Sequence, residues 1–271
     1  MKKAILSALM VLSVLFGASA TEKKSHASAA KPVKTFVLVH GAWMAPYAWD
    51  KVSKSLKKTG ANVIVVQLPG HGTDKTPPQT LTLDVYRDKV LEAVNKVNGK
   101  VILVGHSLAG MIISEVAESA PDKIEKLIYV GAYLPANGES LLALANQDAK
   151  ALLGPNLIPS DDKLTLDVKH ENIVNIFCAD SSPEMQAFVL KNFRVEPAIP
   201  FTNAANLTDA NFGKVNKSYI HTLNDHVIGI DLQNQMVSKA GITDVYSLES
   251  SHTPFLSMPD KVTALLLQIA K

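Results

Sequence analysis

Short apolar runs recur along the chain, separated by segments whose apolar positions repeat at helical spacing. Residues 35–39, 62–66, 101–104, 127–130, 218–222 and 244–248 are brief and rich in β-branched or aromatic residues, and Val101-Ile102-Leu103-Val104 has no polar alternation at all. An unalternating run of this length reads as a strand buried on both faces of a parallel sheet. Helical patterns fall between these runs, at 47–58, 83–97 (with Leu83, Val90, Leu91 and Val94 on one stripe), 109–118, 231–240 and from Pro259 onward. Strands alternating with helices predict βαβ units, hence an α/β domain whose mostly parallel sheet is flanked by helices.

The alternation breaks between about residues 135 and 211. Helical stretches at 139–153 and 182–193, the second opened by Ser182-Pro183-Glu184, lie among prolines and polar turns. A structureless loop of that length does not belong inside a compact domain, so the segment is expected to form a small helical cap inserted over the sheet.

The amino-terminal residues stand apart from this pattern. Met1-Lys2-Lys3 is a basic start, residues 4–16 are an apolar run, and Ala18-Ser19-Ala20 is a small-residue cleavage site, the three parts of a secretory signal peptide over residues 1–20. The apolar run is shorter than the roughly 20 residues a membrane-spanning helix requires. Residues 21–32 are polar and small, as in a flexible leader, which puts the globular domain at 33–271. Export to the periplasm or exterior of a bacterium is the expectation, with no membrane attachment after cleavage.

Charge then narrows the partners. Lys and Arg number 27 and Asp and Glu 25, and loss of Lys2 and Lys3 with the signal leaves a formally neutral chain. A neutral chain has no electrostatic footprint for nucleic acid or an anionic membrane, which leaves a small molecule as the expected partner. The single cysteine, Cys178, cannot form an internal disulfide, and no role is evident for it; no metal-ligand spacing of the His-Glu-x-x-His or Cys-x-x-Cys kind occurs. The oligomeric state has no signature in the sequence. Gly70-His71-Gly72 lacks the third glycine of a dinucleotide fingerprint and reads instead as a loop at a pocket mouth.

The chemistry is carried by "VILVGHSLAG", residues 101–110. Ser107 sits where a buried strand meets a helix, with Gly105, Ala109 and Gly110 around it. A nucleophile elbow needs small residues there, because the turn is strained and neighbouring chains press close; glycine is the usual residue at the Ala109 position. A serine hydroxyl becomes nucleophilic only when a base takes its proton and a third group holds that base. Of eight histidines, His221, His226 and His252 lie beyond the cap. His252, in the loop after the last strand, can reach the elbow, whereas His221 lies inside a strand. Asp225 stands at the end of the preceding strand and is the expected acid; Asp231 reads as a helix N-cap, and Glu249 is too near His252 in sequence to support it from behind. "FVLVHGAW" places His40-Gly41-Ala42 directly after the first strand, so the Ala42 and Leu108 N–H groups form the expected oxyanion donors. Gly41, Trp43 and Phe255 are expected to line the pocket.

Together "FVLVHGAW", "LPGHGTDKTP", "GHSLAG" and "SHTPFLSMP" resemble the α/β-hydrolase superfamily, in particular the branch of bacterial carboxylesterases, plant methylesterases and hydroxynitrile lyases. The resemblance runs from about Val33 to Lys271. It implies an α/β-hydrolase fold with a small helical cap, no cofactor, no metal, and a triad carried here by Ser107, Asp225 and His252. It also implies a serine carboxylesterase acting on small to medium lipophilic esters. Two alternatives stand beside it: lyase-like C–C cleavage, and a ligand-binding protein on a hydrolase scaffold. The lyases of this branch carry a lysine after the histidine and a threonine beside the first-strand histidine, where this chain has Thr253 and Gly41.

Overall fold

The computed structural model describes residues 33–271; the expected signal peptide and leader lie outside the described residues. The core is a six-stranded parallel sheet in the order β2-β1-β3-β4-β8-β9. Its strands are β1 (Thr35–Val39), β2 (Asn62–Val66), β3 (Val101–His106), β4 (Ile124–Val130), β8 (Lys217–Thr222) and β9 (Val245–Leu248). Burial follows position in that order. Every residue of β1 and β3 is buried, whereas edge strands β2 and β9 are mostly half-buried or exposed, although β2 is as free of polar alternation over residues 63–66 as the central strands.

Helices α1 (Asp50–Lys58), α2 (Leu83–Asn95), α3 (Ala109–Ser119), α8 (Ile230–Lys239) and α10 (Pro259–Ile269) flank the sheet, α1 packing on α10 and α2 on α3, and the single turn α9 (Pro254–Ser257) leads into α10. The helix expected from Tyr47 is split: Pro46–Trp49 is a 3₁₀ turn and α1 follows it. Asp231, expected to cap α8, is instead inside its first turn and pairs with Lys150 on the surface; Gly229 holds the cap position. All four loops that carry the candidate residues leave the carboxyl ends of β1, β3, β8 and β9, the edge where open α/β sheets bind ligands.

The inserted cap is not purely helical. It contains α4 (Leu141–Ala145), α5 (Ile173–Phe177), α6 (Pro183–Asn192) and α7 (Ile199–Thr202), and also a three-stranded antiparallel sheet of β5 (Leu157–Pro159), β6 (Thr165–Val168) and β7 (Glu196–Pro197). The prolines at 159 and 197 mask these short strands in the sequence, because proline is tolerated only at strand ends and edges. The helix expected over 139–153 stops after one turn. Asp148 turns its carboxylate onto the Lys150 and Gly229 N–H groups, which draws the chain away from a helical path. By contrast α6 starts as expected, Ser182 accepting from the Met185 N–H at 3.4 Å with Pro183 at the first position.

Candidate active site

Ser107 opens the two-residue junction between β3 and α3 with φ of +56°, a left-handed conformation that a non-glycine residue adopts only when its surroundings enforce it. Those surroundings are steric. A Cβ on Gly105 would stand 2.8 Å from the Ala109 carbonyl oxygen, and one on Gly110 would stand 1.9 Å from that of Tyr133. A Cβ on Gly41 would meet Ser107 Cβ at 2.7 Å, so the loop after β1 lies directly on the elbow. Neither the Ala42 nor the Leu108 backbone N–H donates to a protein acceptor among the described residues.

His252 and Asp225 are brought together by the loops after β9 and β8, both fully buried, with His252 Nδ1 donating to Asp225 Oδ2 at 2.8 Å. The carboxylate is saturated. Oδ1 accepts from the Val227 and Ile228 N–H groups at 2.7 and 2.9 Å, and Oδ2 also accepts from Thr222 Oγ1 at 2.7 Å. Gln233, wholly buried on α8, locks this loop: its Oε1 accepts from Thr222 N–H, and its Nε2 donates to Thr222 and to the Ile228 carbonyl. His252 Nε2, the ring's other nitrogen, is buried without a protein partner. It shares no hydrogen bond with Ser107; such contacts often tighten only once substrate is in place. His252 lies against the elbow nonetheless, since its carbonyl accepts from His106 Nε2 at 2.8 Å and the two rings are 4.5 Å apart.

The residues beside His252 are anchored by the cap. Thr253 Oγ1 donates to the Phe177 carbonyl at 2.8 Å, and Ser251 donates to Asp180. Thr222, Gln233 and these cap contacts have no motif; only the position of Thr222 three residues before Asp225 hints at a local side-chain contact. The remaining candidates do not join the pair: Glu249 is exposed, His221 is buried in β8 against Tyr219, and His226 donates to the Asn175 carbonyl.

A cavity of about 520 Å³ opens between cap and sheet, lined mainly by apolar side chains including Leu141, Leu153, Leu166, Phe201 and Val227. It abuts the site through backbone: the N–H of Tyr133, another wall residue, donates to the Ser107 carbonyl at 3.2 Å, and Val227 N–H binds Asp225. Gly41, Trp43 and Phe255, expected as pocket residues, are not in this wall. Gly41 is pressed against the elbow, Phe255 packs on Trp49 and His106, and Trp43 is enclosed by Phe177, Phe193 and Phe201. Cys178 is buried, and burial first, with Asp180 beside it, pushes its thiol up to about 12, out of the range of a reactive thiolate.

A parallel sheet with a strained serine after its third strand and a buried Asp-His pair on its carboxyl edge defines a class of hydrolase scaffold. The chain belongs to the alpha/beta hydrolase family, whose model matches residues 36–265. It is 29% identical over 255 residues to putative methylesterase 13, chloroplastic, of Arabidopsis thaliana, covering 88% of this chain but only 56% of that protein's length. It is equally 29% identical to a pyrethroid hydrolase of Sphingobium wenxiniae, covering 88% of each chain. Among solved structures, polyneuridine aldehyde esterase superposes with a TM-score of 0.80 over 89% of this chain and all of the other, at 22% identity, a likeness of fold.

Proposed function

We propose that the chain is a serine carboxylesterase that hydrolyses small to medium lipophilic carboxylic esters through an acyl-enzyme. The observation that carries this reading is the buried Asp225–His252 pair with its unpartnered Nε2, on a loop bonded to His106, the neighbour of a serine held in a left-handed turn. Asp225 fixes the imidazole with its proton on Nδ1, which leaves Nε2 to accept the Ser107 proton. The Ser107 oxygen then bonds to the ester carbonyl carbon, and the oxyanion that develops is received by the Ala42 and Leu108 N–H groups. Collapse breaks the bond to the alcohol oxygen, which leaves with the proton from His252. Water, deprotonated by the same nitrogen, releases the acid and restores Ser107.

Three further points support the substrate class. The adjoining cavity is predominantly apolar, relatives carry esterase and hydrolase names, and the position after His252 is a threonine already bonded to the Phe177 carbonyl rather than a cation that could receive departing cyanide. A panel of nitrophenyl esters of rising acyl length, run with Ser107→Ala, tests the reading. Hydrolysis should fall by on the order of a million-fold in the variant with circular dichroism unchanged. A variant within tenfold of the parent, or cyanide release from mandelonitrile with esters untouched, refutes it.

A further inference from the structure

Trp43, the residue after the proposed oxyanion donor Ala42, also has a left-handed backbone, with φ of +57°. What holds it comes from the cap, 153 residues away in sequence: the Trp43 N–H donates to Glu196 Oε2 at 2.6 Å, and its indole Nε1 donates to the Leu166 carbonyl at 2.9 Å. Glu196 stands on β7 and is fully buried. A carboxylate so deep in the protein requires a compensating partner. His71, from the loop after β2, provides it, its Nε2 lying 2.9 Å from the same oxygen. Nδ1 of His71 faces the Pro69 carbonyl at 2.9 Å, so both ring nitrogens face acceptors, an arrangement that only the doubly protonated ring satisfies with two donors. Burial alone would pull the His71 pKa down; the charge and hydrogen bond of Glu196, the Pro69 carbonyl and Asp74 outweigh it, and the net direction is up.

The preceding peptide is pinned separately. His40 Nδ1 donates to the Gly41 carbonyl at 2.9 Å, and because that carbonyl shares a trans peptide with the Ala42 N–H, the N–H points the opposite way. His40 Nε2 accepts from Leu68 N–H at 3.3 Å, and burial, then the charge of His71, holds this ring neutral by pushing its pKa down to about 3. Two consecutive peptide planes around Ala42 are therefore each set by a buried side chain, one from the sheet domain and one from the cap.

We infer that Glu196 is a positioning residue for ester hydrolysis: with His71 balancing its charge, it fixes the Ala42–Trp43 peptide and, together with His40 on the Gly41–Ala42 peptide, holds the aim of the Ala42 N–H at the developing oxyanion. The cap is thus a structural part of the oxyanion site as well as a cover. This inference rests on the esterase reading above.

The test compares Glu196→Ala, Glu196→Asp and Glu196→Gln by kcat, KM and affinity for an alkyl trifluoromethyl ketone, whose reversible adduct with the serine presents an oxyanion to the same donors. Asp keeps the charge but withdraws the oxygen by one methylene; Gln keeps the reach and loses the charge, its amide oxygen taking the Oε2 position, where it accepts from the Trp43 N–H and from a proton on His71 Nε2. Ala and Asp should lose about 10- to 100-fold in kcat, less than deletion of a whole oxyanion donor, with KM within about twofold. Their ketone affinity should fall in parallel, and Gln should recover most of both. If Ala does not fold, the Asp–Gln contrast decides. Asp within twofold of the parent, Gln as impaired as Asp, or a loss of kcat with unchanged ketone affinity overturns the inference. A parent that neither hydrolyses esters nor binds the ketone in a Ser107-dependent way overturns the esterase reading itself.

Discussion

Asp225→Asn separates the catalytic from the structural duty of this carboxylate, because the two duties fall on different oxygens. Oδ1 accepts two backbone N–H bonds, from Val227 and Ile228, whereas Oδ2 serves Thr222 Oγ1 and His252 Nδ1. In the variant the amide oxygen must stay on the two N–H groups, since turning it would set the NH₂ against two donors and leave both buried and unsatisfied, at about 1–3 kcal/mol each. The NH₂ therefore faces His252, which can meet it only by presenting a bare Nδ1. That choice moves the ring proton to Nε2, the nitrogen that must accept from Ser107. The expected outcome is an intact fold with kcat lowered about 10⁴-fold, near 5 kcal/mol of transition-state stabilisation. Steady-state hydrolysis of a nitrophenyl butyrate at neutral pH measures the rate, and imidazole ¹⁵N shifts report the tautomer. A rate within tenfold of the parent, or a proton still on Nδ1, would falsify the assignment of Asp225 as the group that orients the base.

Gln233→Leu removes a fully buried amide and leaves its backbone partners on Thr222 and Ile228 unsatisfied, and should lower unfolding free energy by about 2–4 kcal/mol in urea titrations, with a smaller effect on kcat. Acid should destabilise the fold below the ordinary histidine range: the His40 pKa is depressed to about 3 by burial and by His71, so the stability it contributes is present above pH 6.5 and is lost as pH falls toward 3, at about 1.4 kcal/mol per pH unit. Denaturant unfolding at pH 7 and pH 4.5 checks this, and equal midpoints count against it. We propose that the chain is exported and cleaved after Ala20, so that its mature form begins at Thr21; intact-mass measurement of the periplasmic or culture-medium fraction decides this, and a chain found there with Met1 retained would rule it out.

The elbow was legible in the sequence because each of its small residues answers a steric demand that no other residue type meets. Gly105 and Gly110 are excluded from carrying a Cβ by the Ala109 and Tyr133 carbonyls, and Gly41 by Ser107 itself. The central strands were legible for a similar reason, as burial on both faces leaves no place for polar residues. The cap was legible only as an interruption. Its β-strands are two to four residues long and two of them contain proline, so neither periodicity nor propensity marks them. Glu196 and Gln233 were not legible at all. A glutamate before a proline and a glutamine on a helix are ordinary surface residues in sequence, and only tertiary contact buries them against Trp43 and Thr222.

Four histidines lie close together behind the elbow, and their partners rather than their type divide the work among them. His40 has both nitrogens occupied, by the Gly41 carbonyl and the Leu68 N–H, so it can only orient backbone. His71 faces two acceptors and serves as a counter-charge to Glu196. His106 donates through Nε2 to the His252 carbonyl, and burial, with His252 beside it, drives its pKa far below the ordinary value, so near neutrality it neither carries charge nor gives up a proton. His252 alone among these four has a carboxylate behind one nitrogen and no protein partner ahead of Nε2. The carboxylate sets the tautomer and the open nitrogen supplies the lone pair, and a general base requires both. The proposed base is therefore selected by its hydrogen bonds, and the other three rings hold the backbone and charges that keep those bonds in place.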